Sequence, residues 1–458
     1  MKFIRNIVCY YETIGVYMLI AAESISTLKT YFREDQISKY EVSSRLGNSG
    51  ELIVLPETED EIAAVLKNAD LNGLTINIMG GGTKRGFGGL NEKADLLLSL
   101  EKYTGIVEHT PGDMTVTVRS GTRFKDLQDY LAKHNQKISL DPFWPQNATI
   151  GGVIAANESG PKRLGYGSAR DAVIGLRTVY PDGKVIRSGG RVVKNVAGYD
   201  MNKLFIGSMG TLGVISEITL KLRPIPKCES LVLVSFAKGD LEEIKAFAVK
   251  VLDSMIEPVS LELLNPALSD KLSGINSYTV AMSFEDVESS VHYQEVFVGN
   301  MLPKDAKLSI SSKENADLFW DRFYRHIPNG AHKELPIQTE ASFKIGTVNL
   351  DAVKVLKETE LLQDKFNVKI ESHGGLGHGL SQVTIRGAEP DVANAAVNVR
   401  QIAEKDGGYA IAKHLPFELR KKVDVWGNKP SYFFLLQGIK TKVDPNKTLS
   451  PNRFIGGI

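Results

Sequence analysis

The chain of 458 residues is 42% hydrophobic and 24% charged, which allows roughly two to four domains with sizeable cores and excludes a wholly disordered or polytopic membrane protein. Its 55 basic and 54 acidic side chains leave a net charge of +1, so no bulk attraction for nucleic acid or anionic lipid follows. Two cysteines, Cys9 and Cys228, cannot build a disulfide framework or a four-cysteine metal site, and a reducing compartment, the cytoplasm, is the expectation.

At the N-terminus Lys2 and Arg5 precede an apolar stretch. Glu12 interrupts it, and the longest uncharged run, 13–22, is about half of a bilayer span. Residues 1–44 therefore read as an extension with a helix. Glu51 to Pro56 predicts a strand, and Thr58 to Asn72 a helix with Ile62, Ala63, Val65, Leu66, Ala69 and Leu71 on its buried stripe. Thr75 to Met79 is a strand that runs straight into a glycine-rich loop. Further strands are expected at 115–118 and 215–222, with a helix at 123–135 between them. After about residue 226 the glycine density falls, and strand, helix, strand, strand, helix, strand runs from 231 to 310 and recurs from 341 to 411. Two ferredoxin-like βαββαβ halves fit that order.

Glycine is the compositional anomaly, with 42 in the chain. In GGGT (80–83) three residues without Cβ let successive backbone N–H groups converge on an anion, phosphate being the natural guest, and Lys84 and Arg85 add positive charge. Neither G-x-G-x-x-G nor G-x-x-x-x-G-K-[ST] occurs in this segment, which disfavours Rossmann and Walker sites. Plain turns remain the other reading of these glycines. In TIGG (149–152) the glycines lie between apolar runs, where backbone must approach something closely, and Ala155, Ala156 and Gly160 leave room for a flat ring system. A third cluster spaces Gly207, Gly210 and Gly213 by three residues before the alternating strand.

GGGT after a strand, TIGG some 65 residues on, and GSMGTLGVISEITLKLRP (207–224) together resemble the FAD-binding domain of the vanillyl-alcohol-oxidase and PCMH-type flavoproteins. GPKRLGYGSARD (160–171), GGRVVKNVAGYD (189–200), DVWG (424–427) and KVDPNKTLSPNRF (442–454) are more narrowly similar to the FAD-binding E subunits of glycolate oxidases. The resemblance implies an α+β fold: a two-subdomain FAD-binding domain over 45–226, a cap or substrate domain with the ferredoxin-like repeats over 227–425, and a C-terminal segment, 426–458, returning to the first domain. FAD is then held by Gly80, Gly81, Gly82, Thr83 and Lys84 at its pyrophosphate, by Thr149, Ile150, Gly151 and Gly152, and by Gly213, Val214 and Ile215. These loops contain no histidine or cysteine, so noncovalent FAD is expected.

The implied chemistry is oxidation of a small 2-hydroxy acid, glycolate or D-lactate, with hydride passing from the α-carbon to flavin N5. Arg163, Arg170, Arg191 and Lys194 are the candidates for holding the substrate carboxylate, and His373 for the base. No metal is expected: relatives carry a paired-histidine motif where this chain has ESHGGLGHGL (371–380), with Leu380 at the second position and His378 two residues early. The other departure is PNR (451–453) in place of PGR, a turn that asparagine tolerates. The implied partners are a homologous flavoprotein subunit and an iron–sulfur subunit, with peripheral membrane association only through them and no nucleic acid. An auxiliary FAD-binding assembly or electron-transfer subunit, and a stand-alone sugar-acid or lactone oxidase, are the alternatives.

Overall fold

The computed structural model describes Leu28 and residues 30–40, 44–190, 199–332 and 338–458; the extension at 1–22, Arg191 and Lys194 lie outside them. Strands β1 (Ile37–Lys39), β2 (Ser49–Val54), β3 (Ile76–Met79) and β4 (Lys93–Ser99) form the first sheet, in the order β1-β2-β4-β3. Both β2 and β3 run parallel to β4, which requires a crossover, and helix α1 (Glu59–Asn72) supplies it. Thr58 starts α1 through a capping box, its Oγ accepting from Glu61 N at 3.2 Å while the Glu61 carboxylate accepts from Thr58 N at 3.4 Å. Ile62, Val65, Leu66 and Ala69 of the predicted stripe are buried and Ala63 is half-buried, but Leu71, nine residues and so half a rotation from Ile62, faces solvent at 74% exposure.

The second sheet is antiparallel, with β5 (Ile106–Thr110), β6 (Thr115–Arg119), β7 (Val173–Val179), β8 (Val185–Gly189) and β9 (Val214–Lys221) in the order β5-β6-β9-β7-β8. Helices α2 (Phe124–Ala132) and α3 (Ile150–Ala155) pack their buried residues into its core.

Apart from a short antiparallel pair, Gln136–Lys137 with Arg223–Pro224, the remaining strands join in one eight-stranded antiparallel sheet: β10 (Cys228–Phe236), β11 (Ser260–Leu264), β12 (Tyr278–Asp286), β13 (Ala306–Ser311), β14 (Thr339–Gly346), β15 (Lys369–Gly375), β16 (Leu380–Gly387) and β17 (Tyr409–His414). The order is β13-β10-β12-β11-β15-β16-β14-β17, so each half places its four strands fourth, first, third, second, and β11 pairs with β15 at the seam. The long helices Leu241–Leu252, Glu288–Asn300, Asp351–Glu360 and Glu389–Lys405 connect these strands.

Alternation in the second half of this sheet sorts the chemistry. Phe343, Ile345, Val383, Ile385 and Ile370 point into the apolar core with the Glu389–Lys405 helix. Their neighbours Ser342, Lys344, Gln382, Thr384, Glu371 and His373 stand on the opposite face. That polar face turns toward the first 226 residues. Glu285 of β12 fixes the approach, its buried carboxylate bonded to Lys137, Lys162 and Tyr166.

The C-terminal segment returns to the first sheet. Ser450 N donates to Ile76 O and Ile76 N to Thr448 O, both at 2.7 Å, and buried Arg420 donates to the carbonyls of Gly89 and Arg85. Asn452 adopts φ +59°, the left-handed conformation that the PNR turn requires. Among the described residues no helix is long and apolar enough to cross a membrane.

Candidate active site

Thr149 is the N-cap of α3 and its Oγ accepts from Gly152 N at 3.2 Å. The α3 start is held against the second sheet by Gly151 N donating to Ser120 O at 2.8 Å. The GGGT loop packs on this turn backbone to backbone. A Cβ on Gly80 would lie 2.1 Å from Thr149 Oγ1, one on Gly81 1.7 Å from the Asn147 carbonyl oxygen, and Gly82 has φ +72°. These positions need glycine for geometric reasons, beyond any general looseness of a loop.

Between the two loops runs a groove lined by Gly80 to Lys84, Thr149, Gly151, Gly152, Gly213, Ile215 and Arg453. Its floor is backbone. The expected cofactor residues line it with two exceptions. Ile150 and Val214 face inward, each 1% exposed and packed in the apolar cores of the two sheets. Three buried polar atoms on lining residues, Asn48 Oδ1, Ser120 Oγ and Arg453 Nε, have no hydrogen-bond partner among the described residues. Burial pushes the Arg453 guanidinium down to about 10, so it is still a cation at neutral pH. A side-chain-free cradle with unpaired donors and a buried cation suits a dinucleotide carrying a pyrophosphate.

A second, small cavity adjoins the groove and shares Thr83 and Lys84 with it. Its other walls are Phe143, Trp144, Glu158, Ile327, Pro328, Ser342, Lys413 and His414. Glu158 Oε2 lies 3.4 Å from Lys84 Nζ and 3.7 Å from Lys413 Nζ. Burial works against the Glu158 carboxylate, but Lys84, Lys413 and Lys344 outweigh it and hold its pKa below the usual range. Burial pushes Lys413 down to about 8 and the neighbouring ammoniums add to this, with Glu158 opposing. Burial, with Arg420 and Arg386 adding, takes His414 down to about 3 and keeps its ring neutral.

The sequence candidates for catalysis fall in different places. Arg163 is half-buried, with Nη1 3.2 Å from Ser159 Oγ. Arg170 is exposed, donates to Lys203 O at 3.3 Å and lines neither cavity. His373 is buried on β15, with Nδ1 2.7 Å from Glu262 Oε2, and Glu262 Oε1 lies 3.4 Å from His378 Nε2. Its ring packs against Phe323 and against Phe143, the latter a wall of the second cavity. Glu158, Glu262, Trp144, Lys413 and His414 were missed by sequence reasoning. Lys84 and Lys413 are separated by most of the chain, and only the meeting of the two domains brings them together.

Residues 50–189 match the family model described as "FAD binding domain". The chain carries an FAD-binding domain. The chain is 31% identical over 261 residues to the D-lactate dehydrogenase (cytochrome), mitochondrial, of Arabidopsis thaliana, a match covering 55% of this chain and 45% of that one. It therefore spans about half the length of that relative. A D-lactate dehydrogenase of Archaeoglobus fulgidus is 24% identical over 419 residues, covering 88% of this chain and 91% of the relative. Among solved structures, p-cresol methylhydroxylase with substrate bound superposes with a TM-score of 0.74 at 15% identity, over 94% of this chain and 96% of the other. The chain thus shares its fold with that protein, the PCMH-type FAD-binding fold. The groove between the GGGT and TIGG loops belongs to the matched region, apart from Asn48, the lining residues between Met209 and Ile215, and Arg453.

Proposed function

We propose that the chain is an FAD-dependent oxidoreductase acting on the CH–OH group of a small 2-hydroxy acid of the glycolate and D-lactate class. The observation that carries this reading is the shared wall. The glycine-lined groove shares Thr83 and Lys84 with a small chamber that combines cations, a neutral imidazole and apolar walls. The D-lactate dehydrogenases among the relatives support it. FAD, when bound, supplies the acceptor for the hydride leaving the α-carbon.

The chain's own residues orient the acid and move its proton. Basic side chains at the chamber hold the carboxylate, with half-buried Arg163 nearby and Arg191 and Lys194 as further candidates from the sequence. His414 lines the chamber with a ring that burial keeps neutral, so a nitrogen lone pair can accept a hydrogen bond from the hydroxyl, whose proton becomes strongly acidic only as the hydride leaves and then passes to this weakened base. His373 sits one side chain behind. Glu262 fixes its Nδ1 edge, and its Nε2 has no partner among the described residues; we assign this pair to positioning Phe143 and the wall it forms. FAD is held noncovalently, by backbone donors and buried cations. The chain works in the cytoplasm and passes its electrons to a partner, a homologous flavoprotein subunit and an iron–sulfur subunit being those that the resemblance implies.

The test is product identification. The FAD-loaded chain is incubated with D-lactate and a dye acceptor, and pyruvate is measured as its hydrazone, with L-lactate and acid-free samples alongside. Pyruvate formed only from D-lactate, with stoichiometric dye bleaching, supports the reading. No 2-oxo acid from either glycolate or D-lactate, with FAD bound, would sink it.

A further inference from the structure

We propose that Lys413, facing Lys84 across the chamber, binds the substrate carboxylate, and that the chamber admits 2-hydroxy acids with short uncharged tails while excluding dicarboxylates. This deepens the reading above and rests on it. Lys413 lies on β17 beside β14, which carries Lys344 on the sheet's polar face. The two ammoniums that line the chamber, Lys84 and Lys413, share one carboxylate, that of Glu158, at 3.4 and 3.7 Å. Both separations are longer than a charge-assisted hydrogen bond. Lys344 adds a third ammonium with no ion-pair partner within 4.0 Å among the described residues, and it acts on both Lys413 and Glu158. Three cations around one anion, mostly shielded from water, leave a surplus of positive charge that a bound carboxylate would offset.

The opposite walls have a different character. Phe143, Trp144, Ile327 and Pro328 present apolar surface and no cation. Trp144 holds φ +55°, a conformation rare for a bulky side chain, and is locked there by its backbone N donating to Tyr324 O and its indole Nε1 to Ile327 O, both at 2.9 Å. Strain of this kind persists where the surroundings over-determine it, and here it fixes the ring against the chamber. A methyl or hydrogen at the α-carbon fits such a wall. A second carboxylate would be stripped of water against aromatic rings without a cation of its own, since Lys84 and Lys413, the ammoniums that line the chamber, are already shared by Glu158 and the first carboxylate.

The experiment is calorimetric titration of the FAD-loaded chain with pyruvate and with 2-oxoglutarate, which leave oxidised flavin unreduced, for the wild type, Lys413→Met, Lys413→Arg and Glu158→Gln. FAD content is read for each protein. Pyruvate is expected to bind at least about tenfold tighter than 2-oxoglutarate. Lys413→Met should weaken pyruvate about tenfold or more at unchanged FAD content, with Lys413→Arg partly restoring it. Glu158→Gln, which removes the competitor for the ammoniums, should tighten pyruvate. A merely structural Glu158 would weaken binding when replaced. Equal affinity for 2-oxoglutarate would overturn the tail assignment, and an unchanged pyruvate affinity in Lys413→Met would overturn the anchor. If Lys413→Met loses FAD, the Glu158→Gln arm decides, weakened or unaltered binding counting against the anchor. Pyruvate binding with these responses in a chain that D-lactate does not reduce would sink the proposed reaction while leaving the anion site standing. No pyruvate binding to the wild type overturns the anchor whatever the reaction.

Discussion

Replacing Gly81 by alanine asks whether the glycine groove holds FAD. The added Cβ would lie 1.7 Å from the Asn147 carbonyl oxygen, where real contacts essentially never fall below 3.0 Å, so the two loops must part by about 1.3 Å. Asn147 contributes backbone there, so rotating a side chain cannot relieve the clash. Overpacking of this kind costs about 1–3 kcal/mol. With the groove free the loops can separate, whereas a bound pyrophosphate needs both at once, so most of that cost falls on the FAD-bound state. At about 1.4 kcal/mol per factor of ten, FAD affinity should drop roughly 5- to 150-fold. The assay is the flavin-to-protein absorbance ratio after gel filtration, followed by FAD titration of the stripped protein, with far-ultraviolet circular dichroism to check the fold. Gly112→Ala is the control, since a Cβ there meets nothing within 4 Å and its φ is not positive. Wild-type FAD affinity in Gly81→Ala, with Gly112→Ala also unchanged, would refute the loop assignment.

Thr149→Ala should lose about 1 kcal/mol of stability with its helix cap, and FAD affinity with it, while Thr149→Ser keeps most of both; chemical denaturation and flavin titration measure the two. Burial disfavours the Glu285 carboxylate, yet Lys162 and Lys137 overcome this and bring it down to about 2, below its ordinary value of 4.5. Its contribution is therefore complete above about pH 4.5 and is lost as pH falls toward 2. At about 1.36 kcal/mol per unit this is on the order of 3 kcal/mol, which Glu285→Gln should remove at pH 7 but not at pH 2, as urea midpoints at both pH values would reveal. His414→Asn should slow flavin reduction by D-lactate at least about a hundredfold without changing pyruvate affinity. A stopped-flow rate within a factor of about three of wild type would remove His414 as proton acceptor.

Much of the fold was legible because local chemistry and tertiary placement agree. Thr58 and Glu61 announce the start of α1, and the alternation in ISEITLKL marks β9, whose burial alternates in the same register. The strand Lys93–Ser99 was not read, since it lies between two parallel neighbours and its DLLL run is apolar on both faces, leaving no period of two. The helix Ile150–Ala155 was hidden by Gly151 and Gly152, which propensity penalises; close packing on Ser120 requires the first of them. For the site, the glycine loops carry their own signature, as do the residues beside them. The chamber does not. Lys413 and His414 end an ordinary half-buried strand, and Glu262 sits in an ordinary alternating one, SLELL. Each acquires meaning only from what the eight-stranded sheet lays opposite, and single-sequence periodicity contains no term for that. Arg170 illustrates the converse, a basic residue close in sequence to the glycine clusters whose side chain faces solvent.

The central claim is that this one chain both holds FAD and delivers a 2-hydroxy acid to it. An anaerobic titration of the purified FAD-loaded protein with glycolate and with D-lactate, following the visible flavin band, tests it most directly. The groove and its adjoining chamber predict that the band bleaches with at least one of the two acids and returns on admission of an electron acceptor. A flavin that stays oxidised at millimolar concentrations of both acids would contradict the account and leave the chain as a flavin-binding subunit that serves catalysis elsewhere.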